Sequence, residues 1–263
     1  MPFERESRRH PLTPRALRVR SAEYVVPGIR RIALEGPDLA GFAADGPADH
    51  VRLLFPDAVT GELSLPTIGP DGRILPPAGA PATRDYTPLD ADGERLVIDF
   101  VVHGDEGPAS AWAASAAPGD RLGVMGPRGS RLAPAMGALL AVVDETAFPA
   151  LARWERLTDA PITAVIDAAD AGREPYFAGS RAALTWTFRD RGDDLLETVR
   201  SLGDVAEDTF VFLAGEATTL APVRRYLRRE LGLPREQVSA SGYWRRGVGN
   251  LDHHAPLDPA DPD

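Results

Sequence analysis

The chain contains no cysteine, which excludes a disulfide framework, a thiol nucleophile, a Cys-ligated zinc and a Cys-ligated iron–sulfur cluster. Any redox work therefore needs a bound cofactor. Lysine is absent as well, so all 29 basic side chains are arginine, and any anion site must be built from planar, permanently charged guanidinium groups. No apolar run approaches the ~20 residues that span a bilayer. The opening stretch MPFERESRRHPLTPR carries charge without the apolar centre of a signal peptide. The expectation is a cytoplasmic protein with no membrane insertion. Positive charge is in deficit, 39 acidic residues against 29 basic ones for a net charge of -10. Such a field repels polyanions and argues against a nucleic-acid partner.

What is present is enough for two ordinary domains. The 263 residues are 43% hydrophobic with 25 glycines and 25 prolines, the composition of a folded, turn-rich chain. From Leu17 to about Leu132 the segments ALRVRSAEYVV, IRRIALEG, HVRLLFP and ERLVIDFVVHG alternate or cluster β-formers between turn signals. In LVIDFVVH, Leu96, Ile98, Phe100 and Val102 fall on one face and Val97, Asp99, Val101 and His103 on the other. This predicts an antiparallel barrel over residues 13–132, interrupted by the long loop PTIGPDGRILPPAGAPATR. Beyond it the pattern becomes strand, loop, helix: ALLAVV, ITAVIDA, LTWTF and TFVFLAG alternate with helix-forming segments, which predicts a parallel sheet with crossovers over 133–250. The Asp/Pro-rich segment 251–263 is expected to be a mobile tail.

Two segments carry candidate chemistry. In GDEGPASAWAASAAPGD, Pro108 stands near the first helical position and alanines follow. A helix whose first turn holds only Gly, Pro, Ala and Ser leaves free N–H groups open to an anion, so Ala109 and Ser110 could cradle a pyrophosphate. The same composition also suits an ordinary connector helix. Upstream, RDYT places Arg84 and Tyr86 on the same side of one extended strand, followed by the Thr87 hydroxyl: a cation for phosphate, a flat face for an aromatic ring, and a polar group. A lone tyrosine there would be barrel packing; the combination points to a ligand.

The stretches RDYT, DFVVHGDEGPASAWAASAAPGDRLGVMGPRGS, DETAFPAL, FLAGEAT with VRRYLRREL, and GYWRRG follow one another from about Thr13 to Gly247. In order and spacing they resemble the siderophore-interacting protein family, flavin-dependent ferric-siderophore reductases of the ferredoxin-reductase superfamily. The resemblance implies an N-terminal six-stranded Greek-key β-barrel that binds FAD and a C-terminal α/β parallel-sheet domain of ferredoxin-NADP reductase type. It places Arg84 on the flavin phosphates, Tyr86 against the isoalloxazine and Thr87 near its reactive edge. Val102, His103 and Gly104 would line the flavin, and Ala109 and Ser110 would hold the pyrophosphate. Asp144, Glu145 and Thr146 open the first crossover, close to the flavin in such folds. Tyr243 and Trp244 would cover the flavin or its adenine, although as residues they fit core packing equally well. Arg52, Arg128 and Arg246, with Arg245 as a near substitute, are the expected basic pocket for an anionic ferric chelate.

Two departures from the family pattern bear on function. Leu89 stands where the motif Arg-x-Tyr-Thr-x-Arg ends in arginine, removing one cationic contact. Val143 precedes Asp144 where the family has glycine, and is expected to crowd the loop a nicotinamide dinucleotide approaches. The implied activity is reduction of a ferric siderophore to release Fe(II), with NADH, NADPH or reduced ferredoxin as donor and no catalytic acid, base or nucleophile. The rival readings are a general NAD(P)H:flavin or ferredoxin-type oxidoreductase and a non-enzymatic siderophore-binding protein. His10, His50, His103, His253 and His254 show no ligand spacing, so no protein-bound metal is expected, and the protein is expected to be a monomer.

Overall fold

The computed structural model describes residues 3–71, 73–77, 79–102, 107–249, 251–252, 255–258 and 260–261. The chain divides into two compact units: Ser7–Leu132, and Ala133–Asp263 together with Met1–Glu6.

Alternating β-branched and apolar residues form the strands of the first unit: β1 (Pro14–Val26), β2 (Ile29–Glu35), β3 (Val51–Leu54), β4 (Thr83–Tyr86), β5 (Pro88–Ala91), β6 (Arg95–Val101) and β7 (Arg121–Met125). They form one sheet of seven strands in the order β4-β3-β7-β1-β2-β6-β5, with every neighbouring pair antiparallel. The outermost strands β4 and β5 are separated in sequence only by Thr87. Two edges joined by a single residue cannot lie a sheet's width apart, since consecutive Cα atoms are about 3.8 Å apart. The sheet is therefore closed into a barrel, and residues 83–91 act as one bent strand that leaves one edge and enters the other. Because β2 pairs with β6 rather than with β3, the connectivity is of Greek-key type. Leu96, Ile98 and Phe100 point into the barrel with Leu17, Ile32 and Val51. On the opposite face of β6, Asp99 receives a bidentate pair from Arg31, both bonds 2.8 Å.

One helix, α1 (Pro108–Ser115), packs Ala109 and Ala113 into this core. Its C-terminal carbonyls are capped from β2: the Arg30 guanidinium donates to the oxygens of Ala113 and Ala116, each at 2.8 Å, and to that of Ala114. A cation at the negative end of the helix dipole fixes α1 on the barrel. Within the long loop, Thr67–Ile68 and Ile74–Leu75 pair as a short hairpin.

In the second unit five strands, β8 (Ala138–Asp144), β9 (Ile162–Ala168), β10 (Ala183–Phe188), β11 (Thr209–Glu216) and β12 (Val238–Trp244), are all parallel, in the order β10-β9-β8-β11-β12. The crossovers carry α2 (Phe148–Leu157), α3 (Leu195–Ser201) and α4 (Ala217–Arg225). Between β9 and β10 the crossover is instead the 3-10 stretch Ala171–Phe177, which contains Pro175 and so cannot complete an α-helical ladder. Parallel strands covered on both faces read as continuous apolar runs, and β8 and β11 are buried along almost their whole length. The order reverses between β8 and β11, and ligands of open α/β sheets bind outside the carboxyl ends of the strands at such a switch point.

One expectation is corrected in this unit. Val143 is 1% exposed, in register with Ile166 and Ala214 on the neighbouring strands. Its bulk is taken up by the core, so it does not crowd the loop that follows. The described residues of the tail are docked: Leu257 is buried in the core beneath α4, and Asp258 accepts from Arg225 at 2.5 Å. Asp261 pairs with Arg224 and Arg229. No helix among the described residues is long and apolar enough to cross a membrane.

Candidate functional site

On the barrel, strand register decides what each residue of RDYT faces. Cross-strand partners share a face: Arg84 stands opposite Leu53 and Tyr86 opposite Val51, whereas Asp85 stands opposite Arg52. Arg84 and Tyr86 thus lie on the face of the buried residues, and Arg52 and Asp85 on the other. Arg52 grips Asp85 with two bonds of 2.9 Å. Arg84, by contrast, makes one bond, from Nη1 to its neighbour's carbonyl at Thr83 (2.7 Å), and has no carboxylate partner among the described residues. A half-buried guanidinium without a counter-charge is poised for an anion.

Tyr86 packs against Phe100, ring centroids 4.6 Å apart, and Phe100 against Trp112 of α1 at 5.7 Å. An aromatic line therefore runs from the motif strand to α1. Burial pushes the Tyr86 phenol above its ordinary range, with the Arg84 charge opposing. Thr87, at the turn between the two barrel edges, is buried. Helix α1 begins after Gly107, whose φ of 114° suits glycine alone and which supplies no side-chain cap; Pro108 occupies its first turn. Ala109 and Ser110, both buried, open this turn, and a Cβ on Gly107 would meet nothing within 4 Å. An arginine without a carboxylate partner among the described residues, a flat ring and a helix start built of Pro, Ala and Ser in one unit fit a dinucleotide-type flavin. Val102, which donates its N–H to Gly28 at 2.8 Å, is partly buried at the end of β6. His103 and Gly104, like His253 and His254, lie outside the described residues. Leu89 is buried in the barrel wall.

In the α/β unit the informative geometry lies at the carboxyl ends of β8, β11 and β12. Asp144, the last residue of β8, is 3% exposed and accepts four hydrogen bonds. Oδ1 takes the Thr146 N–H (2.9 Å) and the Thr146 hydroxyl (2.5 Å). Oδ2 takes the Glu216 N–H (2.8 Å) and the Trp244 indole N–H (2.7 Å). Burial pushes its carboxyl up to about 6, against these donors, with the Glu145 charge adding to the rise. Trp244 reaches Asp144 because β12 carries a bulge: Gly215 pairs with Gly242 and Glu216 with Trp244, leaving Tyr243 as the extra residue. Bulges re-aim side chains beside functional sites. Gly215 is required where it stands, since its φ is +150° and a Cβ would lie 2.7 Å from the Asp144 carboxyl carbon.

Glu216, ending β11, accepts from the Thr218 hydroxyl (2.5 Å), the Thr219 N–H (2.6 Å) and the Arg246 N–H (3.1 Å). These donors hold its carboxyl below the usual range although burial opposes them. Glu145 is buried and receives both bonds of a bidentate pair from Arg189, each 2.8 Å, and the Ala169 N–H at 2.5 Å. Arg189 also reaches Asp167 at 3.0 Å. Burial raises Asp167, with Arg189 opposing. The sequence places Asp144 and Glu145 at this crossover without roles and does not single out Glu216 and Arg189. The legible signal was an apolar strand ending in an acid twice over, in VVDE and FLAGE.

The expected basic pocket is divided between the units: Arg52 and Arg128 belong to the barrel unit, Arg245 and Arg246 to the α/β unit. Arg128 and Arg246 are exposed and have no ion-pair partner among the described residues. Arg245 donates to the Leu257 carbonyl at 3.2 Å, and its Nε is buried without a partner.

Comparison with known proteins follows these two sites. Residues 18–131 match the siderophore-interacting FAD-binding domain, and residues 136–247 match the siderophore-interacting protein family. The chain is 34% identical over 244 residues to the NADPH-dependent ferric-chelate reductase of Escherichia coli, covering 90% of this chain and 94% of that protein. It is 30% identical over 253 residues to the ferric vibriobactin reductase of Vibrio cholerae, with 92% and 93% covered. A siderophore utilization protein from T. fusca overlays with a TM-score of 0.86 at 43% identity, covering 96% of this chain and all of that one. A ferredoxin reductase of a carbazole dioxygenase overlays at 0.64 with 18% identity, covering 88% and 69%, which shows a shared fold of ferredoxin-reductase type.

Proposed function

Because this chain belongs to the siderophore-interacting protein family, we propose that it is an FAD-dependent reductase that converts Fe(III)-siderophore to releasable Fe(II) in the cytoplasm, drawing its electrons from NADPH. The observation that carries this reading is Arg84, which has no carboxylate partner among the described residues, beside Tyr86 and Thr87 in the barrel unit that also presents the Pro108-led first turn of α1. Arg84 and the backbone amides of Ala109 and Ser110 would hold the flavin diphosphate. Tyr86 and Val102 would line the ring system, with Thr87 at its edge and His103 and Gly104 completing the wall. When bound, FAD supplies the exchange between a two-electron donor and a one-electron acceptor. The protein's part is to bind, orient and shield; no side chain needs to serve as acid, base or nucleophile.

NADPH is favoured as donor over NADH and reduced ferredoxin by the name of the Escherichia coli relative. Thr146 and Trp244 both bond Asp144 at the carboxyl end of the parallel sheet, beside the switch point, where a nicotinamide would lie. Since the Trp244 N–H is spent on Asp144, its indole offers a face rather than a donor, and Tyr243 is displaced by the bulge beside it. Arg128 and Arg246, exposed and without carboxylate partners among the described residues, are the first candidates to attract an anionic chelate. Arg52, neutralised by Asp85, and Arg245, turned to the Leu257 carbonyl, are secondary ones. Fe(III) held by hard oxygen donors is bound far more tightly than Fe(II), so reduction is release.

The test is anaerobic stopped-flow. The FAD-loaded protein is reduced and mixed with ferric siderophores of different charge. Reoxidation that saturates with chelate and differs between chelates is the expected result. A rate unchanged by chelate contradicts the assignment, and non-saturating, indiscriminate reoxidation marks a general flavin reductase.

A further inference from the structure

The polar groups at the carboxyl end of the parallel sheet share one feature. Thr146 heads the crossover after β8 and Thr218 the crossover after β11, the strands that flank the switch point. Each donates its hydroxyl proton to a buried carboxylate, Thr146 to Asp144 and Thr218 to Glu216, both at 2.5 Å. A hydroxyl has one proton and two lone pairs. Once the proton is committed, the oxygen can only accept. The Trp244 N–H and the Arg246 N–H are committed in the same way, to Asp144 and Glu216. The carboxylates are themselves acceptors. At the carboxyl ends of β8 and β11 the hydroxyl oxygens of Thr146 and Thr218 are thus presented as acceptors whose orientation is fixed from behind, with Thr146 partly exposed and Thr218 exposed.

We propose that Thr146 and Thr218 are specificity-determining residues for the electron donor, held as hydrogen-bond acceptors by the positioning residues Asp144 and Glu216, and that they select the donating –NH2 of a nicotinamide carboxamide. The selection rests on the reading that a pyridine dinucleotide is the donor. Replacing that –NH2 by a methyl group, as in the 3-acetylpyridine dinucleotide, leaves an acceptor facing a group that cannot donate, and the desolvated lone pair goes unpaired. Asp144 has a second task. Its Oδ2 holds the indole N–H, so the plane of Trp244 is fixed by the same carboxylate that fixes the Thr146 hydroxyl. The four donors around it favour its ionised form.

The experiment compares flavin reduction by NADPH and by its reduced 3-acetylpyridine analogue in wild type, Thr146→Val, Thr218→Val and Thr146→Ser. The ratio of the two kcat/KM values in each variant is divided by that in wild type, so the intrinsic reactivity of the analogue cancels. Each valine is expected to lower the preference for the amide by roughly threefold to tenfold, the range of one lost hydrogen bond, while Thr146→Ser keeps it. A second readout uses the FAD-free protein: the indole emission assigned to Trp244, taken as wild type minus Trp244→Phe, should shift in Asp144→Asn. Unchanged amide preference in both valine variants, with NADPH still reducing the wild-type flavin, overturns the proposal and leaves the function intact. An unshifted Trp244 emission in Asp144→Asn overturns the positioning role. Failure of either dinucleotide to reduce the wild-type flavin overturns the donor reading and the proposal with it.

Discussion

Two arginines on adjacent barrel strands show how register separates roles that composition cannot. Arg84 and Arg52 are both partly solvated guanidiniums near the same motif, yet Arg52 is held by a bidentate pair with Asp85, while among the described residues Arg84 has only a backbone bond. A charge already satisfied contributes little to a new anion; an unsatisfied one contributes a charge-assisted bond worth about 1.5–3 kcal/mol. Arg84→Ala should therefore weaken FAD binding by roughly tenfold to a hundredfold. Arg52→Ala should leave FAD affinity within about twofold and act, if anywhere, on an anionic chelate at low salt. Flavin fluorescence titration of both variants checks this, and equal losses would remove the distinction. The sequence displayed Arg84, Tyr86 and Thr87 as a group, because alternation puts i and i+2 on one side of a strand. The neutralisation of Arg52 was invisible, since its partner is 33 positions away and meets it only through strand pairing.

Among the elements, the strands were legible wherever alternation or continuous apolar runs marked them, as in β6 and β8. The barrel itself was legible too, but not the place where it closes, which depends on one residue, Thr87, joining two edges. The bulge in β12 was equally hidden: GYWRRG shows the aromatic pair but not that Tyr243 is the extra residue and Trp244 the one aimed at Asp144. The contacts of the C-terminal segment were hidden for a physical reason. Asp and Pro in an apolar-poor stretch signal disorder, but three arginines on and after α4, Arg224, Arg225 and Arg229, supply its counter-charges once the helix forms. Removing residues 251–263 should lower the melting temperature by several degrees, because the buried Leu257 alone represents about 1.5–3 kcal/mol of apolar burial. Asp258→Asn with Asp261→Asn should have a smaller effect that fades with salt, as screened surface pairs do. Thermal melts of both variants at two salt concentrations give the comparison; an unchanged melting temperature on truncation would contradict docking of the tail.

At the scale of the whole molecule, a chain with net charge -10 and no cysteine carries family matches across both of its compact units. The overall charge repels anionic chelates, so any attraction must be local, and Arg128 and Arg246 are exposed charges that could provide it. The two-part organisation was legible because its halves obey different periodicities. Donor specificity was not, because it depends on where hydroxyl protons point. The central claim is an account of electrons: two taken from the donor as a hydride, then delivered singly to two ferric ions. The most direct measurement loads the protein with FAD, reduces it anaerobically with one equivalent of NADPH, adds excess ferric siderophore and traps Fe(II) with a chromogenic chelator. The account predicts about two Fe(II) per flavin oxidised, two electrons shared between one-electron acceptors. Flavin that remains reduced, or Fe(II) that forms equally well in protein stripped of FAD, would contradict it.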